Sequence, residues 1–222
     1  MEKHTDINFE NELEEIRSKL LLMGGTVIEM IKNSLNGLLT AEKPSFDLVF
    51  EMEQKVNSAE VEIDTLCNNT LLLRAPTATD LRFIVASQRI IRDLERIGDE
   101  AEKMARMGQY FHENSHKEMP RLDFSLTVSD VISMIKRVLD GYAGDDASEL
   151  KKVIMDDKAI DESFRTTLHS MISYMLEDQS RISKSIDLIF FAKALERIGD
   201  HAKNMSESII FMVEGNDLRL LK

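Results

Sequence analysis

Apolar residues recur at intervals of three and four along most of the chain, and the pattern breaks wherever Pro, Gly and small polar residues collect. That period predicts helices rather than strands, over 8–40, 45–73 and 77–111 and then over 123–142, 146–177 and 183–213. Lys43-Pro44-Ser45 and Arg74-Ala75-Pro76-Thr77 form the corners of the first triplet, and 112–121, with His112, His116 and Pro120, separates it from the second. Gly144-Asp145-Asp146 opens the fifth helix, where Asp146 and Glu149 have the spacing of a capping box. The clearest seam lies in the second helix, as Val49, Met52, Val56, Ala59, Ile63 and Leu66. Directly beside it runs a polar stripe of Glu53, Asn57, Glu60 and Asp64.

The chain also repeats itself. At an offset of 104, Val27-Ile28-Glu29-Met30-Ile31-Lys32 faces Val131-Ile132-Ser133-Met134-Ile135-Lys136, and at an offset of 101, Leu94-Glu95-Arg96-Ile97-Gly98-Asp99 faces Leu195-Glu196-Arg197-Ile198-Gly199-Asp200. A period near a hundred residues is too long for a solenoid unit and suits a duplicated small domain. Long helices on short corners pack antiparallel, because only neighbours can cover their apolar stripes. The expected fold is therefore all-α, two tandem three-helix bundles over residues 1–115 and 116–222.

Composition narrows the function. Forty acidic residues against 28 Lys and Arg give a formal charge of −12, which repels a phosphate backbone and argues against nucleic acid as a ligand. The longest run without Asp, Glu, Lys or Arg is 166–176, too short to cross a bilayer. The opening Met1-Glu2-Lys3-His4-Thr5-Asp6 does not read as a secretory signal, so a cytoplasmic location is expected. Cys67 reads as a small buried hydrophobe. No phosphate loop, nucleophile with a base nearby in sequence, or Cys cluster is present, and the chain is not expected to be an enzyme.

Carboxylates carry the one chemical signal. With Glu95 as origin and about 100° per residue, Asp99 falls at about 40°, Glu102 at about 340° and Gly98 at about 300°. One narrow face beside the core thus holds all four, and Glu196, Gly199 and Asp200 repeat it. Gly in a helix interior costs about 1 kcal/mol relative to Ala, so both glycines imply close approach of another backbone or a bound ion. Like charges one turn apart repel, and an oxygen-loving cation shared between helices would reverse that cost. Further acidic pairs lie on the middle helices, Glu60 with Asp64 and Asp157 with Asp161. Oxygen donors alone leave iron, manganese, zinc, magnesium and calcium open. Glu113-Asn114-Ser115-His116 has the spacing of a diiron motif, but it lies in the linker, where His112 and His116 are expected to be solvated.

The two Leu-Glu-Arg-Ile-Gly-Asp copies resemble the repeated signature of the PhoU family of phosphate-uptake regulators. Pro76-Thr77-Ala78-Thr79-Asp80-Leu81-Arg82 and Asp157-Lys158-Ala159-Ile160-Asp161 resemble family segments too. The resemblance implies tandem three-helix bundles that bind metal ions, often in multinuclear clusters, through Glu95, Asp99, Glu196 and Asp200. It further implies a cytoplasmic homodimer that restrains phosphate uptake and starvation signalling. Its implied partners are the ATP-driven (ABC) phosphate transporter with its ATPase subunit and a membrane sensor histidine kinase, and it reaches the membrane only through them. Glu102 in the first signature is matched by Lys203 in the second, so the two sites need not be alike. Two other readings stay open on the residues alone: a carboxylate-bridged metal oxidoreductase or metal store, and a metal-free scaffold whose acidic stripes serve solubility or basic partners.

Overall fold

The computed structural model describes residues 7–113 and 122–215, and among these all regular structure is helical. Helices α1 (Ile7–Thr40), α2 (Lys43–Arg74) and α3 (Ala78–Glu113) form the first bundle. Helices α4 (Ser125–Gly144), α5 (Leu150–Glu177) and α6 (Ile182–Glu214) form the second, with one 3-10 turn at Gln179–Arg181 between α5 and α6. None of the described helices is long and apolar enough to cross a membrane.

The corners work as their residue types require. Ala41 and Ala75 take left-handed backbone angles (φ 60° and 43°) after α1 and α2, and Pro44 sits in the first turn of α2, where its missing N–H costs nothing. The fifth helix departs from expectation. Asp146 does not cap it: its carboxylate accepts from the Ser148 backbone N–H at 2.8 Å and from the Ser148 hydroxyl at 3.0 Å. Glu149 reaches forward to Lys152 Nζ at 2.8 Å, and the helix begins at Leu150. A short Asp side chain that bonds two residues ahead makes a turn in preference to a helical start. Asp123 does the same with the Ser125 N–H (2.9 Å), so α4 begins at Ser125.

All six helices supply the core. In α2 the buried positions Val49, Val56, Ile63 and Thr70 are seven residues apart, the inner line of the expected seam, with Met52, Ala59 and Leu66 half-buried beside it. Cys67 is fully buried, and burial pushes its thiol up to about 12, which leaves it unreactive.

The bundles join along α3 and α6, the most extensive helix pairing in the molecule. The two helices run antiparallel: Arg82 Nε donates to the Met212 carbonyl at 3.3 Å, the Arg89 guanidinium lies 5.1 Å from the Phe211 ring, and Asp93 meets His201 at 2.9 Å. Glu100, 6 % exposed, receives Arg197 across the same seam at 3.2 Å. A smaller contact joins α1 to α4, while among the described residues α2 and α5 touch only their own bundles and form the outer flanks.

Candidate functional site

The signature glycines explain where the acids stand. A Cβ on Gly98 would lie 3.1 Å from Val56 Cγ1, and one on Gly199 would lie 3.2 Å from Asp157 Oδ1 and 3.5 Å from Ile160 Cγ2. The close approach expected at these glycines is real, and among the described residues it comes from side chains of the middle helix and not from another backbone. Val56 and Ile160 thereby become equivalent, which sets Glu53 opposite Asp157 and Asn57 opposite Asp161 one residue after each.

In the first half the acids of α3 meet those of α2. Glu95 is half-buried, and desolvation holds its carboxyl above the usual range, aided by the negative charges of Asp99, Glu60 and Glu53 and opposed by Arg96. Arg96 lies along the outer side, 3.4 Å from Glu95 and 3.2 Å from Asp99, and is itself mostly exposed. Glu53 accepts from the Asn57 amide, and Glu102 is paired with Arg106 at 2.7 Å. Asp64 stands further along in an amide ladder, accepting from Gln88 at 3.0 Å and Asn68 at 2.9 Å.

The second half has a different balance. Asp157 is 2 % exposed, and Lys203 Nζ donates to its Oδ2 at 2.7 Å. Its Oδ1 is buried and has no hydrogen-bond partner among the described residues. Desolvation raises Asp157 above the ordinary carboxylate value despite Lys203, with Asp200 and Asp161 adding to the rise, while bonding to Asp157 lifts Lys203 above the ordinary lysine value. Lys193 Nζ holds both oxygens of Glu196 at 2.6 Å, and Asp200 is exposed.

Among the described residues no three Asp, Glu, His or Cys side chains converge into a ready-made ion cage. The first half nonetheless offers a fitting donor set for a hard or borderline cation, oxygen-only acids from two helices that repel one another. His112 is engaged elsewhere. His112 is not merely solvated: its Nε2 lies 2.8 Å from the Leu38 carbonyl oxygen and its ring packs edge-on against Phe111. His116, and with it the Glu-x-x-His spacing, lies outside the described residues.

Residues 20–107 and 128–209 each match the family model described as "PhoU domain", and each match contains one signature. The chain belongs to the PhoU family. It is 37% identical over 216 residues to the phosphate-specific transport system accessory protein PhoU homolog of Pseudomonas aeruginosa, covering 97% of this chain and 89% of that protein. It is 32% identical over 219 residues to the phosphate-specific transport system accessory protein PhoU of Escherichia coli, covering 99% and 90%. The crystal structure of PhoU from Pseudomonas aeruginosa superimposes with a TM-score of 0.89 at 38% identity, over 94% of this chain and all of that one. These PhoU relatives are named as transport accessory proteins, not as enzymes.

The structure adds two residues to the acids that the PhoU signature singles out. Glu53 belongs with Glu95, and its place in the polar stripe one residue after the seam was the available signal. Lys203 bonds Asp157, and the exchange of Glu102 for Lys at the matching position announced it.

Proposed function

We propose that this chain is a regulatory accessory protein of a phosphate transport system, one that restrains phosphate uptake and the phosphate-starvation response. The observation that carries the reading is a match along 97–99% of the chain to accessory proteins of phosphate-specific transport. Its partners are the ATPase subunit of the phosphate transporter and a sensor histidine kinase. It works in the cytoplasm as a homodimer and reaches the membrane through those partners. The accessory role of the relatives speaks against the metal oxidoreductase or store.

Metal binding belongs to the same proposal. Glu95 and Asp99 of α3, with Glu53 and Glu60 of α2, would hold the ion in the first half, where a divalent cation would supply the positive charge that these acids lack. Asp64 is engaged with amides one turn beyond them. In the second half the acids are Asp157, Asp161, Glu196 and Asp200, of which Asp157 and Glu196 are already held by Lys203 and Lys193.

Co-purification with the tagged transporter ATPase, together with a phosphate-starvation reporter in cells lacking the gene, tests the role. The expected result is capture of the ATPase and restored repression at high phosphate. Failure of both would remove the reading. Elemental analysis of gently purified protein against the Asp99→Asn/Asp200→Asn variant tests the metal, which should fall in the variant.

A further inference from the structure

The duplication keeps Glu95 and Asp99 as Glu196 and Asp200, and Glu53 as Asp157, but not the charge that faces them. In the first half the cations sit outside, on Arg96 and Arg106, whose side chains are 62% and 52% exposed. In the second half a cation sits inside. Lys203, on the turn of α6 after Asp200, reaches across to α5 and bonds a carboxylate that is almost wholly out of water. At its counterpart in α3 the chain carries Glu102.

We propose that Lys203 is the resident cation of the second acid cluster, so that this half takes no divalent metal and any metal the chain holds is confined to the first half. The statement about metal rests on the metal reading given above, whereas the part played by Lys203 stands without it.

A buried carboxylate must be hydrogen-bonded to a cation or give up its charge. Lys203 meets that need for Asp157 with a charge-assisted bond of normal length. An ion bridging α5 and α6 would have to displace an ammonium group that is fixed to the chain and carries the same sign of charge. Glu196 is likewise engaged, by Lys193. Asp157 Oδ1 faces the backbone at Gly199 with no hydrogen-bond partner among the described residues, so Lys203 serves one oxygen of this acid and no described residue serves the other. The first half has no ammonium at the matching position, and its buried-side acids are left to repel.

The test uses the full chain, stripped with chelator and titrated with Mn2+, with bound ion counted by electron paramagnetic resonance. Glu95→Gln/Asp99→Asn should weaken binding by about tenfold or more, and Glu196→Gln/Asp200→Asn by less than about twofold, as for a distant screened charge. Lys203→Glu should add Mn2+ beyond the wild-type count. Equal losses from the two double variants, or no added Mn2+ in folded Lys203→Glu, would overturn the proposal. A second measurement needs no metal: in chelated protein, Lys203→Met and Asp157→Asn should each lower the melting temperature, and together should lower it by clearly less than the sum. Additive losses would remove Lys203 from its role. If wild-type protein takes up no Mn2+ while the thermal cycle shows coupling, the metal reading fails and the resident cation stands.

Discussion

The hydroxyl of Tyr142 in α4 meets the hydroxyl of Ser87 in α3 at 2.7 Å, a buried hydrogen bond between the two bundles. Ser87 Oγ also donates to the Phe83 carbonyl at 2.8 Å, so the phenol is the donor in the pair. Tyr142→Phe therefore leaves Ser87 satisfied and should cost about 1 kcal/mol, whereas Ser87→Ala strands a buried phenol O–H and should cost about 1–3 kcal/mol. Urea unfolding of both variants checks the order, and a larger loss for Tyr142→Phe would refute it.

Arg17 crosses the same boundary. Its guanidinium donates to the carbonyls of Tyr142 and Ala143 at the end of α4, and its other arm meets both oxygens of Asp145 at 3.2 Å. It also lies 4.8 Å over the Phe83 ring. Lysine can supply the charge but neither the fork nor the stacking plane. Arg17→Lys should lose about 1–2 kcal/mol, most of the effect of Arg17→Ala. Recovery of full stability by the lysine variant would show that charge alone matters.

Two glycines of α1 should respond in opposite directions. The Phe46 ring occupies the place where a Cβ on Gly37 would stand, while no described residue outside the helix's own neighbouring backbone lies within 4 Å of one on Gly25. Gly25→Ala should stabilise by about 0.5–1 kcal/mol through helix propensity. Gly37→Ala should destabilise by about 1–3 kcal/mol, because an aromatic ring fixed in a core cannot step aside. Melting temperatures of the pair decide the matter.

Glu95 makes stability depend on pH in a defined sense. Its folded carboxyl is held above the ordinary 4.5, so the folded chain grips that proton more tightly than the unfolded chain does. The resulting stabilisation is complete below pH 4.5 and is lost as pH rises through the raised value. In metal-free protein Glu95→Gln should therefore gain about 0.5 kcal/mol at neutral pH, the scale of relieved like-charge repulsion. The gain should shrink as pH falls toward 4.5. Denaturant titrations at several pH values read it directly, and a gain that grows on acidification would contradict the sign.

Periodicity alone locates the six helices and the α2 seam, since each apolar stripe has to be covered whatever covers it. It does not say which helix of one bundle meets which of the other. Polar residues carry much of that choice, Asp93 with His201 and Glu100 with Arg197, and their partners lie about a hundred positions away with no spacing to betray them. The acids of the signature are legible because the duplication writes them twice. The burial of Asp157 is not, since a stripe beside a seam can turn toward water or toward the next helix, and Gly199 decides by leaving room for its oxygen. Asp146 misleads for a similar reason, as the competing donor is Ser148, only two residues on.

Because α3 and α6 each carry an acid-bearing side toward an outer helix and press their other sides together, they form a common spindle on which both ends of the molecule turn. Prising one end open would bare greasy surface belonging to the other. The chain should consequently melt in one step under heat, and a tug on either outer rod would be felt at the far one through a shared axle.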